Sequence, residues 1–239
     1  MRIALAIFMT LALAAPAAAQ TAGGLSFHRS FSAGPKDAVS IDARDGDFGA
    51  SVQVVAWQKN SVQVDVTGTG SEAGQVQVTA ARIGSNVRII ARREGQGGFW
   101  SHIFSWGHSP DISISVRVPA SVSLEVVTTN GRVRIDSVTG SLTASTVNGG
   151  LHVIGAGSSL HLESVNGGIT AAIARAGGTP AIFLKTVNGG VHLSVPANFD
   201  ARIETSTVNG GVSNPFANAR RVGSAWVRTV NGGITITAH

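Results

Sequence analysis

An acid–base pair is what a polysaccharide hydrolase or lyase on a repetitive β scaffold requires: one carboxyl protonates the leaving oxygen, a second activates water or attacks. Past residue 130 the chain offers only Asp136, Glu163, Asp200 and Glu204. Glu163 stands three residues before an Asn-Gly turn and Glu204 five before another, two copies on, so coil rise alone sets them about 10 Å apart. Lys185 occupies the place of Glu163 one copy later, which reads as a surface ion pair of little worth. His152 and His192 are equivalent in the repeat, but Thr170 lies between them and breaks a metal-ligand row. Calcium-binding Gly-Gly repeats carry a regularly spaced Asp, which this repeat lacks. There is no cysteine, hence no thiol nucleophile, no disulfide and no lipid carried on a cysteine. No motif places a Ser-His-Asp set. These residues point to a non-enzyme without cofactor or metal.

The remaining chemical character is aromatic. The segment Gly95 to Pro110 gathers Phe99, Trp100, His102, Phe104, Trp106 and His108 between glycines. Aromatic side chains are favoured at contact sites, so this loop reads either as a grip on a glycan, a partner or a lipid interface, or as a plug on the first coil. A second set lies five residues before the repeated Asn: Thr143, His161, Phe183, Glu204 and Trp226. Strand parity turns that row outward, which makes Phe183 and Trp226 part of a flat contact face unless neighbouring corners cover them.

The element that positions these residues is a repeat. Asn-Gly recurs at Asn130, Asn148, Asn166, Asn188, Asn209 and Asn231, at spacings of 18, 18, 22, 21 and 22. Five copies read Val-Asn-Gly-Gly after Thr or Ser, and Thr128-Thr129-Asn130-Gly131 is a degenerate first copy. Apolar residues fall six and four before the Asn (Leu142/Ala144, Leu160/Leu162, Ile182/Leu184) and three and five after it (Leu151/Val153, Val191/Leu193, Ile234/Ile236). Both sets alternate with period two, so each copy supplies two short strands joined through the Asn-Gly corner. Asn-Gly between alternating apolar residues is also a hairpin signal. Stacked coils are favoured over a meander because they put each Asn about 4.8 Å above the next, where side-chain amides form a ladder. Parity puts the Thr inside and the Val outside; a bend between them is expected to turn both inward. The last strand, Ile234–Thr237, has no evident cap and leaves an open edge for self-association.

Residues 38–125 lack the repeat and read as strands over Ala38–Ala43, Ser51–Trp57, Ser61–Thr67, Gln75–Ala80, Asn86–Arg92, Ile112–Val118 and Ser121–Val127. The expected organisation is a signal peptide over 1–19, a flexible segment over 20–37, a β-sandwich-like capping unit over 38–125 and a solenoid over 126–239. The signal peptide rests on Met1-Arg2, an apolar run to about Ala15 and an Ala-x-Ala end at Ala19. That run is too short for the roughly 20 residues of a spanning helix, so no membrane anchor is expected after cleavage. The net charge is +5, and +4 once Arg2 is removed. It is scattered rather than striped, and with export this excludes nucleic acid as a partner.

Val116-Arg117-Val118-Pro119, the strand into Thr128-Thr129-Asn130-Gly131 and the serial Thr-Val-Asn-Gly-Gly units resemble the bacterial adhesin-like β-strand-repeat family, exported proteins built on a domain of unknown function. Val191–Pro196 followed by Ala201–Thr207 is similar to its internal pattern, and the resemblance covers about residues 38–239. It implies a right-handed single-stranded parallel β-helix of coils about 18–22 residues long, an envelope location and no known catalytic residues. Some relatives look like partners of envelope signalling systems. The aromatic insertion departs from the pattern. The function expected is binding at the envelope or cell surface, to a surface glycan or an envelope protein. A regulatory or structural scaffold is the alternative, and a polysaccharide-active enzyme the third reading.

Overall fold

Period-two alternation of Val, Ile, Leu and Ala, punctuated by Gly and Asn, gives twenty strands and one 3-10 turn, Ala73–Gln75, among the described residues. The computed structural model describes residues 19–21, 24–45, 48–70, 73–93, 111–157, 159–174, 181–216 and 223–239. Before the first Asn-Gly come β1 (Ala19–Thr21), β2 (Gly24–Ser32), β3 (Ala38–Asp45), β4 (Gly49–Trp57), β5 (Ser61–Thr69), β6 (Val76–Ile83), β7 (Asn86–Arg93), β8 (Asp111–Pro119) and β9 (Ser123–Asn130). Then follow β10 (Val133–Asp136), β11 (Leu142–Asn148), β12 (Leu151–Ala156), β13 (Ser159–Asn166), β14 (Ile169–Ile173), β15 (Ala181–Asn188) and β16 (Val191–Val195). The chain ends with β17 (Ala201–Asn209), β18 (Val212–Ser213), β19 (Gly223–Asn231) and β20 (Ile234–Ala238).

The strands form two sheets that share one continuous apolar core, so the protein is an all-β, solenoid-like stack. The eleven-stranded sheet runs β1-β2-β5-β8-β4-β10-β12-β14-β16-β20-β18, and the nine-stranded sheet runs β17-β19-β15-β13-β11-β9-β3-β7-β6. Each coil gives one strand to each sheet, and coil-to-coil pairing is parallel in both. The seven strands expected before the repeat all form, within a few residues at their ends. Of these, β3, β4, β7 and β8 pair in parallel with one another and with the first repeat strands, extending the stack. Antiparallel strands close that end: β6 on β7, then β5 on β8 and β2 on β5. The segment 20–37, expected to be flexible, instead contains β2, which pairs with β5 over eight positions from Leu25↔Gly68 to Ser32↔Ser61. Leu25 and Phe27 are buried in the core, which pins the strand.

At the other end the order in space departs from the order in sequence. The last coil, β19–β20, lies between β15–β16 and β17–β18. The expectation of an open edge at Ile234–Thr237 is therefore corrected in its first half: β18 pairs with Ile234 and Thr235, no described strand pairs with Ile236 and Thr237 on that side, and β17–β18 ends the stack. Burial explains this. Ala225, Val227, Ile234 and Ile236 are all 2 % exposed or less, as an interior coil requires. At the matching places of the outer coil Ile203 is still buried, but Thr205 and Asn214 are half-exposed and Val212 is 46 % exposed. Asn214 Nδ2 donates to the Ile203 carbonyl, and the adjoining Phe216 closes over the end of the core.

Candidate contact face

The Asn-Gly corner decides which side chains face outward. In β11 the sequence Leu142-Thr143-Ala144-Ser145-Thr146 alternates buried and part-exposed, and then both Val147 and Asn148 face solvent. The bend falls where expected, but it turns the valine outward: Val147 is 41 % exposed, Val165 40 % and Val208 73 %. The polar residue beside it goes in because its hydroxyl finds a partner there. Ser164 donates to the Gly149 carbonyl, Thr186 to Gly167, Thr229 to Gly189 and Thr207 to Gly232, each in the neighbouring coil. Thr128 and Thr146 are buried without such a bond. A Cβ on Gly149 or Gly167 would overlap the glycine carbonyl of the adjacent coil, so the residue after each Asn must be glycine.

The six asparagines join in one chain of side-chain amide bonds. Nδ2 donates to Oδ1 from Asn148 to Asn130, Asn166 to Asn148, Asn188 to Asn166, Asn231 to Asn188 and Asn209 to Asn231, at 2.8–2.9 Å. The ladder follows the spatial order, so Asn231 precedes Asn209. Each interior amide uses one donor and one acceptor on its neighbours, while Asn130 only accepts and Asn209 only donates, which fixes the register of the stack along this edge.

Between this corner and the opposite one, the outer face of the nine-stranded sheet carries three rows. Five residues before each Asn stand Thr143, His161, Phe183, Trp226 and Glu204, in that spatial order. Three before it stand Val127, Ser145, Glu163, Lys185 and Arg228, and one before it the valines. The out-of-order coil puts Trp226 directly beside Phe183, where sequence order would have put Glu204 between them. His161 stacks on Phe183 with ring centroids 4.6 Å apart and planes 19° from parallel. Trp226 is 50 % exposed. With Ser141, Ser159 and Ser224 these rings line a recess of about 320 Å³.

Charge on this face is local. His161 Nε2 lies 3.5 Å from Glu163, and Arg202 Nε 3.3 Å from Glu204. Lys185 neighbours Glu163 by register, yet among the described residues neither Lys185 nor Arg228 is ion-paired. Glu163 and Glu204 stand three strands apart, farther than sequence order implied. His152 and His192 flank Thr170 on the opposite sheet, in register. Among the described residues no group of three or more His, Cys, Asp or Glu could hold a metal. Phe99, Trp100, His102, Phe104, Trp106 and His108 lie outside the described residues. Sequence reasoning missed the outward valine row, although parity had signalled it.

A family model described as Toastrack DUF4097 matches residues 30–237. The chain belongs to this family. No curated protein matches the Toastrack chain. Among solved structures it is similar to a "putative cell adhesion protein" from Clostridium sporogenes, with 10 % identity over 90 % of this chain and 100 % of that one and a TM-score of 0.49. It is similar also to a "putative adhesin" from Bacteroides fragilis, with 10 % identity over 88 % and 96 % of the two chains and a TM-score of 0.43. No described helix of this Toastrack chain is long and apolar enough to cross a membrane.

Proposed function

We propose that the protein is exported to the cell envelope or cell surface and acts there by binding, making adhesin-like contact with a surface or a protein partner. The observation that carries this reading is the row His161–Phe183–Trp226, which the inserted coil makes contiguous and which stands outward on a rigid two-sheet stack. A half-exposed tryptophan beside stacked rings is the composition of a binding hot spot, whereas the acids on the same face lie too far apart to share a reacting bond. The names given to structural neighbours and the signal-peptide-like start of the chain agree with that role.

The test is retention of the mature chain on an isolated envelope fraction, comparing wild type with Phe183→Ser/Trp226→Ser and recording a thermal melt of each. A fall in retention of about tenfold or more is expected, since a tryptophan hot spot is worth about 2 kcal/mol. Unchanged retention in a folded variant would exclude this face as the contact.

A further inference from the structure

Three positions of the Thr-Val-Asn-Gly-Gly motif have a structural reason. The Thr or Ser is buried, the Asn forms the ladder and the first Gly admits a neighbouring carbonyl. The valine supports neither core nor ladder. It points outward in five copies, exposed at Val147, Val165 and Val208 and half-buried at Val187 and Val230, over about 19 Å at the strand spacing. An exposed apolar row repeated along one edge marks a contact site. Between this row and the next, Val127, Val147, Val165 and Val187 line a narrow groove of about 260 Å³ along the stack axis.

We infer that this groove binds a single-chain anionic amphiphile, its acyl chain along the valines and its carboxylate or phosphate head at Lys185 and Arg228. Three observations choose the occupant. The groove runs across consecutive coils, with the valine row as one wall and Val127, Ser145, Glu163 and Lys185 as the other. The strands beneath it are hydrogen-bonded into the parallel sheet on both sides. An incoming peptide would therefore leave its own N–H and C=O groups without partners, whereas a polymethylene chain has none to satisfy. Finally, a cation without an ion pair among the described residues stands at one end of the groove only. Lys185 lies in the lining and Arg228 is its exposed register neighbour just beyond it, neither ion-paired among the described residues, while the other end holds Val127 and an Arg44 guanidinium already bound to Asp42. Glu163, one step from Lys185, is turned to His161 and opposes the anionic head. This inference does not depend on the aromatic row.

The test is calorimetric titration of the mature chain with decanoate, decyl phosphate and neutral decanol, each below its aggregation limit. Saturable one-to-one binding of the two anionic probes is expected, and the preferred one distinguishes a fatty-acid head from a phospholipid-type head. Val147→Thr/Val165→Thr/Val187→Thr keeps size and strand preference, and should lower affinity for all three probes at least tenfold with an unchanged melt. Lys185→Gln/Arg228→Gln should weaken only the anionic probes, by fivefold or more, and Glu163→Gln should strengthen them. Absence of saturable binding, or binding indifferent to the valine substitutions, overturns the inference. So would a concentration-dependent dimer abolished by the same substitutions, which would assign the groove to a second copy of the chain.

Discussion

The two ends of the stack solve one problem by different means. At the N-terminal end, β6 and β5 run antiparallel to the coil strands they cover and β2 pairs antiparallel on β5, so the ladder ends in strands that do not repeat. At the C-terminal end the cover is itself a coil, β17–β18, laid down one turn before the coil it covers. A coil with two apolar inward faces needs a neighbour on both sides, and a bare edge recruits other chains. The C-terminal end meets this with Thr205 and Asn214 at inward places and Phe216 folded over the core. The inward residues of a repeat thus record its place in the stack, and chain order does not.

That lesson makes its strongest prediction for paired positions. Ile236 is 2 % exposed in the interior coil, and the equivalent place in the outer coil is Asn214. Ile236→Asn is expected to cost about 3–5 kcal/mol, from lost apolar burial and an unpartnered amide. Thr205→Val, on the outer coil opposite Val227, should change stability by about 0.5 kcal/mol or less and raise self-association. Denaturant melts and sedimentation of both variants decide this. If Ile236→Asn melts like wild type, β19–β20 is the end coil after all and the contrast between the two ends disappears.

Most of this architecture was legible in the residues. Period-two apolar positions and six Asn-Gly corners gave strands, stacking and the ladder, and the alternation of Val, Ile and Ser gave the N-terminal strands. Two features were misread for physical reasons. The order of the last coils was taken from the chain, although Thr205 and Asn214 already break the apolar pattern that Val227 and Ile236 keep. The valine was expected inside on grounds of hydrophobicity, yet a threonine hydroxyl can use a glycine carbonyl within the corner and a valine cannot. The contact row was legible only in part. Parity turned Phe183 and Trp226 outward, but only the inserted coil makes them neighbours.

The ladder offers a finer discrimination of end from interior. Asn188 takes part in two side-chain amide bonds, to Asn166 and from Asn231, whereas Asn209 makes one, to Asn231. At about 0.5–1 kcal/mol for each exposed bond, Asn188→Ala should destabilise roughly twice as much as Asn209→Ala. In a chain of this size the difference is a melting shift of about 1–4 °C. Equal shifts would mean that the amides stack without coupling, and that the corner is held by the Thr hydroxyls and glycine contacts alone.

The smallest expected effect separates the ends by charge. The side-chain hydrogen bond from Arg44 holds the Asp42 carboxyl below its ordinary value of 3.8, outweighing the opposing effect of burial. Burial raises the Asp65 carboxyl, but hydrogen bonds from His28 and Gln63 more than offset it and the net shift is also downward. Both groups sit near the antiparallel end. A carboxyl whose folded pKa is depressed adds stability that is present above its unfolded value and lost as pH falls through the folded one. The N-terminal end should therefore loosen slightly below pH 3.8, while the Asn214–Phe216 closure, which has no titratable side chain, is indifferent. The Asp65 side chain is 40 % exposed, so solvent screening discounts its share, and Asp42, 16 % exposed, carries most of the effect. Hydrogen exchange at pH 6 and pH 3 reads the two ends separately. Faster opening in β2, β3 and β5 that is removed by Asp42→Asn/Asp65→Asn supports the contrast, and equal loosening at β18 would dissolve it.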